Sequence, residues 1–291
     1  MTLFEAVFLI VFWTWVASAI LFLRNTILPR LPLAATPQMR HLPYETVRFQ
    51  ATDGVPLAGW KILTEPTAPW IILCHGVGSN RADLLDIAAG LHEAGFNVFL
   101  FDFRGHGDSR GRVTSFGWRE CCDLEGALAF LGQQADIPAR PLGVYGISMG
   151  AAVALLVAAD DERLGAVAAD SPYTNLDASI SRHLRLLYPW LPLIPFRWFV
   201  LLTYRLRFGV WPRRVSPATA ITRELRSRPV LFIYGAADIR TPLNEIRPLI
   251  SPKDGQDLWV VEGAGHLEAF SSDPEAYVSC LVGFFQSSLL G

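Results

Sequence analysis

A chain of 291 residues, 51% hydrophobic and only 18% charged, has room for one large α/β domain or two small ones and excludes collagen, coiled coil and long disorder. Its net charge of −2 gives no whole-chain case for nucleic-acid binding, while a mean hydropathy of +0.30 predicts that part of the apolar surface meets lipid. Four cysteines, Cys121 and Cys122 adjacent among them, make no disulfide framework, and without a CxxC or a Cys/His cluster no structural zinc is expected.

In chain order, residues 6–23 read AVFLIVFWTWVASAILFL, with no charge and no proline. At ~1.5 Å per residue the run is ~27 Å long, close to the hydrocarbon thickness of a bilayer. Ala17-Ser18-Ala19 mimics a signal-peptide cleavage site, but no Lys or Arg precedes the run and the apolar stretch continues past that site, so an uncleaved anchor over residues 1–24 is expected. Glu5 lies before the run and Arg24, Arg30 and Arg40 after it, which places the rest of the chain in the cytoplasm. Residues 25–43 carry Pro29, Pro32, Pro37 and Pro43 and read as a short extended linker.

Residues 44–291 then read as one domain. Apolar β-type runs at 45–50, 57–63, 70–74, 97–101, 142–146, 165–169, 229–234 and 258–262 alternate with helical patterns at 80–94, 117–134, 148–159 and 274–289. Strands too apolar to be half-exposed, alternating with helices, predict a mostly parallel eight-stranded sheet covered on both faces. Residues 178–228 break the alternation: no strand pattern occurs, and ten arginines stand against one acid, Glu224. This stretch is expected to be a helical cap insertion. Its apolar-plus-cationic make-up suits contact with an anionic membrane surface, an ordinary helical insertion with solvated arginines being the alternative.

Gly146-Ile147-Ser148-Met149-Gly150 matches G-x-S-x-G between the apolar run LGVYG and the helical run AAVALLVAA. The motif requires such a strand-to-helix turn, which exposes the serine hydroxyl above the sheet. Ser148 is therefore the expected nucleophile. His266, in a Gly-rich turn after the last strand pattern, is the expected base, since a serine hydroxyl is inert without one; His41, His92 and His183 fit a linker, a helix and the cap surface. Asp238, after the strand PVLFIYG and a short turn, is the expected carboxylate partner, with Asp170 as runner-up. The turn His75-Gly76-Val77-Gly78-Ser79-Asn80 follows another strand, so the amides of Val77 and Met149 are the expected oxyanion donors. His75 reads as structural, and residues 102–109, DFRGHGDS, as a pocket-wall loop pinned by internal salt bridges.

HGVGSN, DFRGHGDS, GISMG and the late GAADIRTP with GAGH, in this order, resemble the α/β-hydrolase superfamily over roughly residues 44–289. The chain is similar to its membrane-anchored serine hydrolases with one N-terminal helix, which include esterases and acyl thioesterases; DSPYTNL at 170–176 resembles the segment after their sixth core strand. The order Ser148, Asp238, His266 is the one that fold demands. The resemblance implies hydrolysis of esters or thioesters of acyl or other apolar acids at a lipid surface, by an acyl-enzyme that needs no metal or organic cofactor. Two alternatives are a serine peptidase or aminopeptidase on the same triad, which would show an acidic anchor for a substrate amine, and a non-catalytic membrane interaction protein of the same fold.

Overall fold

The computed structural model describes residues 2–133, 141–190, 192–226 and 228–291. Its centre is a sheet of eight strands: β1 (Tyr44–Gln50), β2 (Pro56–Ile62), β3 (Trp70–Cys74), β4 (Asn97–Phe101), β5 (Leu142–Ile147), β6 (Leu164–Asp170), β7 (Val230–Gly235) and β8 (Gln256–Val261). They lie in the order β1-β2-β4-β3-β5-β6-β7-β8. β1 and β2 form an antiparallel hairpin and β2 runs antiparallel to β4, whereas every pairing from β4 through β8 is parallel. WIILC in β3 and NVFLF in β4 are buried at every residue, as continuous apolar runs in a two-sided sheet must be. β1 at the edge alternates instead, with Val47 and Phe49 turned inward. Each predicted strand is found within two residues of its expected limits.

Ten α-helices are described: α1 (Leu3–Thr26), α2 (Leu85–Glu93), α3 (Glu120–Gly132), α4 (Met149–Asp160), α5 (Leu176–Leu187), α6 (Leu193–Phe208), α7 (Pro217–Arg223), α8 (Leu243–Ile246), α9 (Ala269–Ser272) and α10 (Pro274–Leu289). α3, α4 and α7 bury Leu124, Leu155 and Ile221 against one face of the sheet. α2 and α10 bury Leu91, Leu281 and Phe285 against the other. The first part of the predicted helix 80–94 is a 3₁₀ turn, Arg81–Leu84, whose Asn80 side chain accepts from the Ala82 amide. α3 begins three residues later than expected because the buried Glu120 carboxylate accepts hydrogen bonds from the Ser115 and Gly117 amides, both at 2.9 Å, and so fixes a turn before it. The predicted end of that helix at residue 134 lies outside the described residues.

Within 178–228 the described residues form helices, turns and short irregular links, without a strand. Only α5 and α6 form a cap, however. α7 returns to the sheet, where Ala220 and Ile221 join the core beside α4.

α1 opens with a capping box, Thr2 and Glu5 each accepting the other's backbone N–H. It is the one helix among the described residues long and apolar enough to cross a membrane. Residues 7–13 stand exposed, but from Thr14 onward the helix packs on the cap. Ser18, Phe22 and Thr26 share a buried face. Phe22 sits in a cluster with Val200, Tyr204 and Phe208, which recur at four-residue spacing on α6. The following stretch, 27–43, is tied to the domain: Arg30 donates to the carbonyls of Gly107, Ser109 and Gly111, and Arg40 pairs with Asp86 at 2.7 Å.

Candidate active site

The chain leaves β3 toward β4 on one side and returns to β5 on the other. That reversal opens a crevice at the carboxyl ends of β3 and β5, the place where open α/β sheets bind ligands. The turn 75–80 follows β3 and the turn at Ser148 follows β5, so both meet there.

Ser148 has φ +50° and ψ −113°, a left-handed conformation that a non-glycine residue adopts only under constraint. Its flanking glycines supply that constraint by close packing. A Cβ on Gly146 would lie 2.4 Å from the Gly150 carbonyl carbon, and one on Gly150 would lie 2.2 Å from the Cys74 carbonyl oxygen. Gly150→Ala is expected to destabilise the fold by about 1–3 kcal/mol through overpacking against backbone. Thermal unfolding measures this; an unchanged midpoint would show that the turn tolerates a side chain.

The residues predicted from the two ends of the motif set come together. His266 Nε2 lies 3.1 Å from Ser148 Oγ, and its Nδ1 lies 2.7 Å from Asp238 Oδ2. Asp238 is buried and accepts from the Arg240 amide at 2.7 Å, the Thr241 amide at 2.9 Å and the Thr241 hydroxyl at 2.6 Å. Burial works against its charge, but the hydrogen bonds from His266 and Thr241 outweigh it and hold the carboxyl below its usual range. A carboxylate there requires the proton on Nδ1, which leaves Nε2 as an acceptor for the serine hydroxyl. Thr241, a partner of this carboxylate, was not singled out in the sequence; its one signal is a position three residues after the aspartate, where an aspartate commonly organises its own turn.

Asp170, the alternative partner, points elsewhere. It accepts from Tyr277 at 2.6 Å and from Ser171 at 2.7 Å, and burial pushes it up to about 6. Folded Asp170 therefore keeps its proton at a pH where the unfolded chain has lost it. Its stabilising contribution is complete below about pH 4 and is lost as pH rises through about 6. Asp170→Asn is expected to flatten that part of the stability profile between pH 4 and 7, by an amount on the order of 2 kcal/mol. Unfolding midpoints of both proteins across that range check the sign; parallel profiles would contradict it.

The Val77 amide donates to no group among the described residues, and Met149, as the first residue of α4, has an amide without a helical partner. Two histidines brace the turn that carries Val77. His75 is buried, accepts from the Phe103 amide at 2.9 Å and donates to the Gly76 carbonyl at 2.7 Å. Burial, and then the neighbouring His106, lower it to about 3, so it stays neutral. His106 accepts from the Gly78 amide at 3.1 Å. The 102–109 loop does not line the pocket. It stands behind this turn, because Asp102 is consumed by the Arg81 amide and guanidinium, and Arg104 by Asp123 and Asp53 at 2.7 Å each.

Ser148 and His266 open into a cavity of about 570 Å³. Its walls are largely apolar and come from the end of α1, the 75–80 turn, Phe116, Tyr173 and the inner face of α5. His183, read from the sequence as an ordinary cap histidine, lines this cavity; its Nδ1 lies 2.9 Å from the Ser179 carbonyl. Leu21, Phe22, Phe116, His183 and Leu184 among these lining residues belong to no motif read from the sequence.

Residues 65–230 match the family described as serine aminopeptidase, S33. Protein YqkD of Bacillus subtilis is 32% identical over 229 residues, covering 77% of this chain and 73% of its own. The membrane protein YNL320W of Saccharomyces cerevisiae is 32% identical over 124 residues, 42% of this chain and 43% of its own. Among solved structures, the Pyrococcus furiosus esterase Pf2001 superposes with a TM-score of 0.74 at 26% identity, covering 90% of this chain and 99% of that one. With the eight-stranded, mostly parallel sheet and its two helical layers, these matches establish that the chain belongs to the serine aminopeptidase S33 family of α/β-fold hydrolases.

Proposed function

We propose that the protein is a membrane-tethered serine hydrolase that cleaves carboxylic esters or thioesters of acyl chains or other apolar acids. The observation that carries this reading is the chain of hydrogen bonds Asp238–His266–Ser148 at the floor of an apolar cavity. Ser148 Oγ attacks the carbonyl carbon while His266 Nε2 takes its proton, and Asp238 stabilises the imidazolium. The amides of Val77 and Met149 hold the tetrahedral oxyanion. His266 returns the proton to the leaving alcohol or thiol. It then takes a proton from a water that attacks the acyl-enzyme, releasing the acid and Ser148.

The tether is α1, with Arg24, Arg30 and Arg40 on the cytoplasmic side. Its length and apolar composition support this, as does the similarity to a yeast membrane protein. The arginine-rich cap rests on the anionic lipid surface.

The family description favours an aminopeptidase as the second reading. The cavity chemistry weighs against it: among the described lining residues the one carboxylate is Asp83, which is held by the Ser79 hydroxyl at 2.6 Å, while Arg240, His183 and His266 carry the basic groups. Assay of the full chain in detergent micelles against nitrophenyl acyl esters, acyl thioesters and aminoacyl nitroanilides separates the two. Ester or thioester turnover with inert anilides is the expected result; turnover confined to the anilides would overturn the proposal.

A further inference from the structure

We propose that the last turns of α1 are a wall of the substrate pocket as well as the end of an anchor, and that the acyl chain of a bilayer lipid enters the site sideways along α1 and α6. The inference rests on the reading of Ser148 as an acyl-transfer nucleophile.

Leu21, Phe22 and Leu28 line the same cavity as Ser148 and His266, opposite Ile180, Leu184 and Leu187 of α5. The helix that would sit in hydrocarbon thus continues directly into the pocket. Leu21 lies three residues before Arg24, about 5 Å along the helix axis, so the pocket wall is fixed at the edge of the apolar run.

The depth of the cap follows from the same helix. Residues 3–13, all exposed but Ala6, extend for only about 16 Å, short of a hydrocarbon core of about 30 Å. Beyond them one face of the run, with Ser18 and Phe22 buried, packs on the cap, where Phe22 meets Val200 and Tyr204 of α6. For residues 6–23 to occupy the membrane, α6 must meet the lipid as well. α6 has a face suited to this: Trp198, Leu202 and Leu206 recur every fourth residue and are exposed, Trp198 at 56% and Leu206 at 67%, and Ile194, at the non-helical kink before them, is exposed as well. Trp190, 75% exposed, stands before the start of α6, and tryptophan is enriched at the depth of lipid head groups.

A second cavity of about 310 Å³ shares Leu184 and Tyr188 with the first and is bounded by Pro192, Leu193 and Phe196 at the start of α6. It extends the apolar path from the nucleophile toward the face of the cap that meets lipid. At about 30 Å³ for each water-sized group, the 570 Å³ cavity alone holds on the order of nineteen such groups, the scale of a long acyl chain with its ester. The substrate this geometry selects is a long-chain acyl lipid resident in the bilayer rather than a small ester dissolved in water.

The test uses the full chain in nanodiscs of phosphatidylcholine that includes a sixteen-carbon chain bearing a diazirine. After irradiation, peptide mapping is expected to find adducts on the inner face of α5 and on Leu21 or Leu28. Adducts confined to residues 3–13 and the outer face of α6 would overturn the inference, whatever the enzyme's activity. A kinetic arm compares Leu21→Trp, which fills the pocket, with Ile20→Trp on the exposed side of the same helix. Leu21→Trp is expected to lower the ratio of sixteen-carbon to four-carbon ester turnover about tenfold, the loss of about two buried methylenes, while Ile20→Trp keeps the wild-type ratio. Equal ratios in all three proteins would contradict the role of α1. Failure of every ester to turn over would instead fall on the proposed function, with the crosslinking arm still deciding the path.

Discussion

Ser148→Ala and His266→Ala are each expected to lower kcat by about 10⁶, and the double variant by no more than either alone. The reason is geometric: with Nε2 3.1 Å from Oγ, the two groups act as one unit, and an alkoxide without its base is as inaccessible as a base without its nucleophile. The residual rate would come from the Val77 and Met149 amides and from binding in the apolar cavity. Single-turnover assays on purified variants measure this. Additive losses in the double variant would show that the two side chains serve separate steps.

Asp238→Asn is expected to lower kcat by about 10⁴ with little change in fold. The amide can still accept from the Arg240 and Thr241 backbone N–H groups, which meet Asp238 Oδ1 at 2.7 and 2.9 Å. On the other side, however, its NH₂ faces His266 Nδ1, which turns the imidazole to the wrong tautomer and leaves Nε2 protonated against Ser148. Asp170→Asn, by contrast, alters a group hydrogen-bonded to Tyr277 and Ser171 rather than to His266. A loss for Asp170→Asn as large as that for Asp238→Asn would reassign the carboxylate.

The core sheet was legible because its strands are short, continuous apolar runs bounded by turn residues; WIILC and NVFLF could hardly be anything else. Strand order was not, since no local pattern says that β3 sits between β4 and β5. The trio Ser148, Asp238 and His266 could be chosen because each stands just after an apolar run, and such runs end at one edge of a parallel sheet. Thr241 escaped because a threonine in a polar turn looks like any other. The pocket was illegible for a deeper reason: Leu21, Phe116, Tyr173 and Leu184 meet only through packing between distant segments. α1 shows this most clearly. A run apolar on every face gives no sign of which side will pack, so the buried line of Ser18, Phe22 and Thr26 became visible only with α6 beside it. The 102–109 loop is salt-bridged, but to Arg81, Asp53 and Asp123 outside it rather than within itself, and it stands behind the site rather than in its wall, since the loop's charges say neither where their partners lie nor which side of the site it faces.

The central claim is tested most directly by treating the detergent-solubilised chain with a fluorophosphonate and locating the adduct by mass spectrometry, with His266→Ala in parallel. The account predicts one adduct, on Ser148, that disappears when His266 is replaced. A folded wild-type protein that takes no label, or an adduct on another serine, would contradict it and bring forward a non-catalytic role at the membrane.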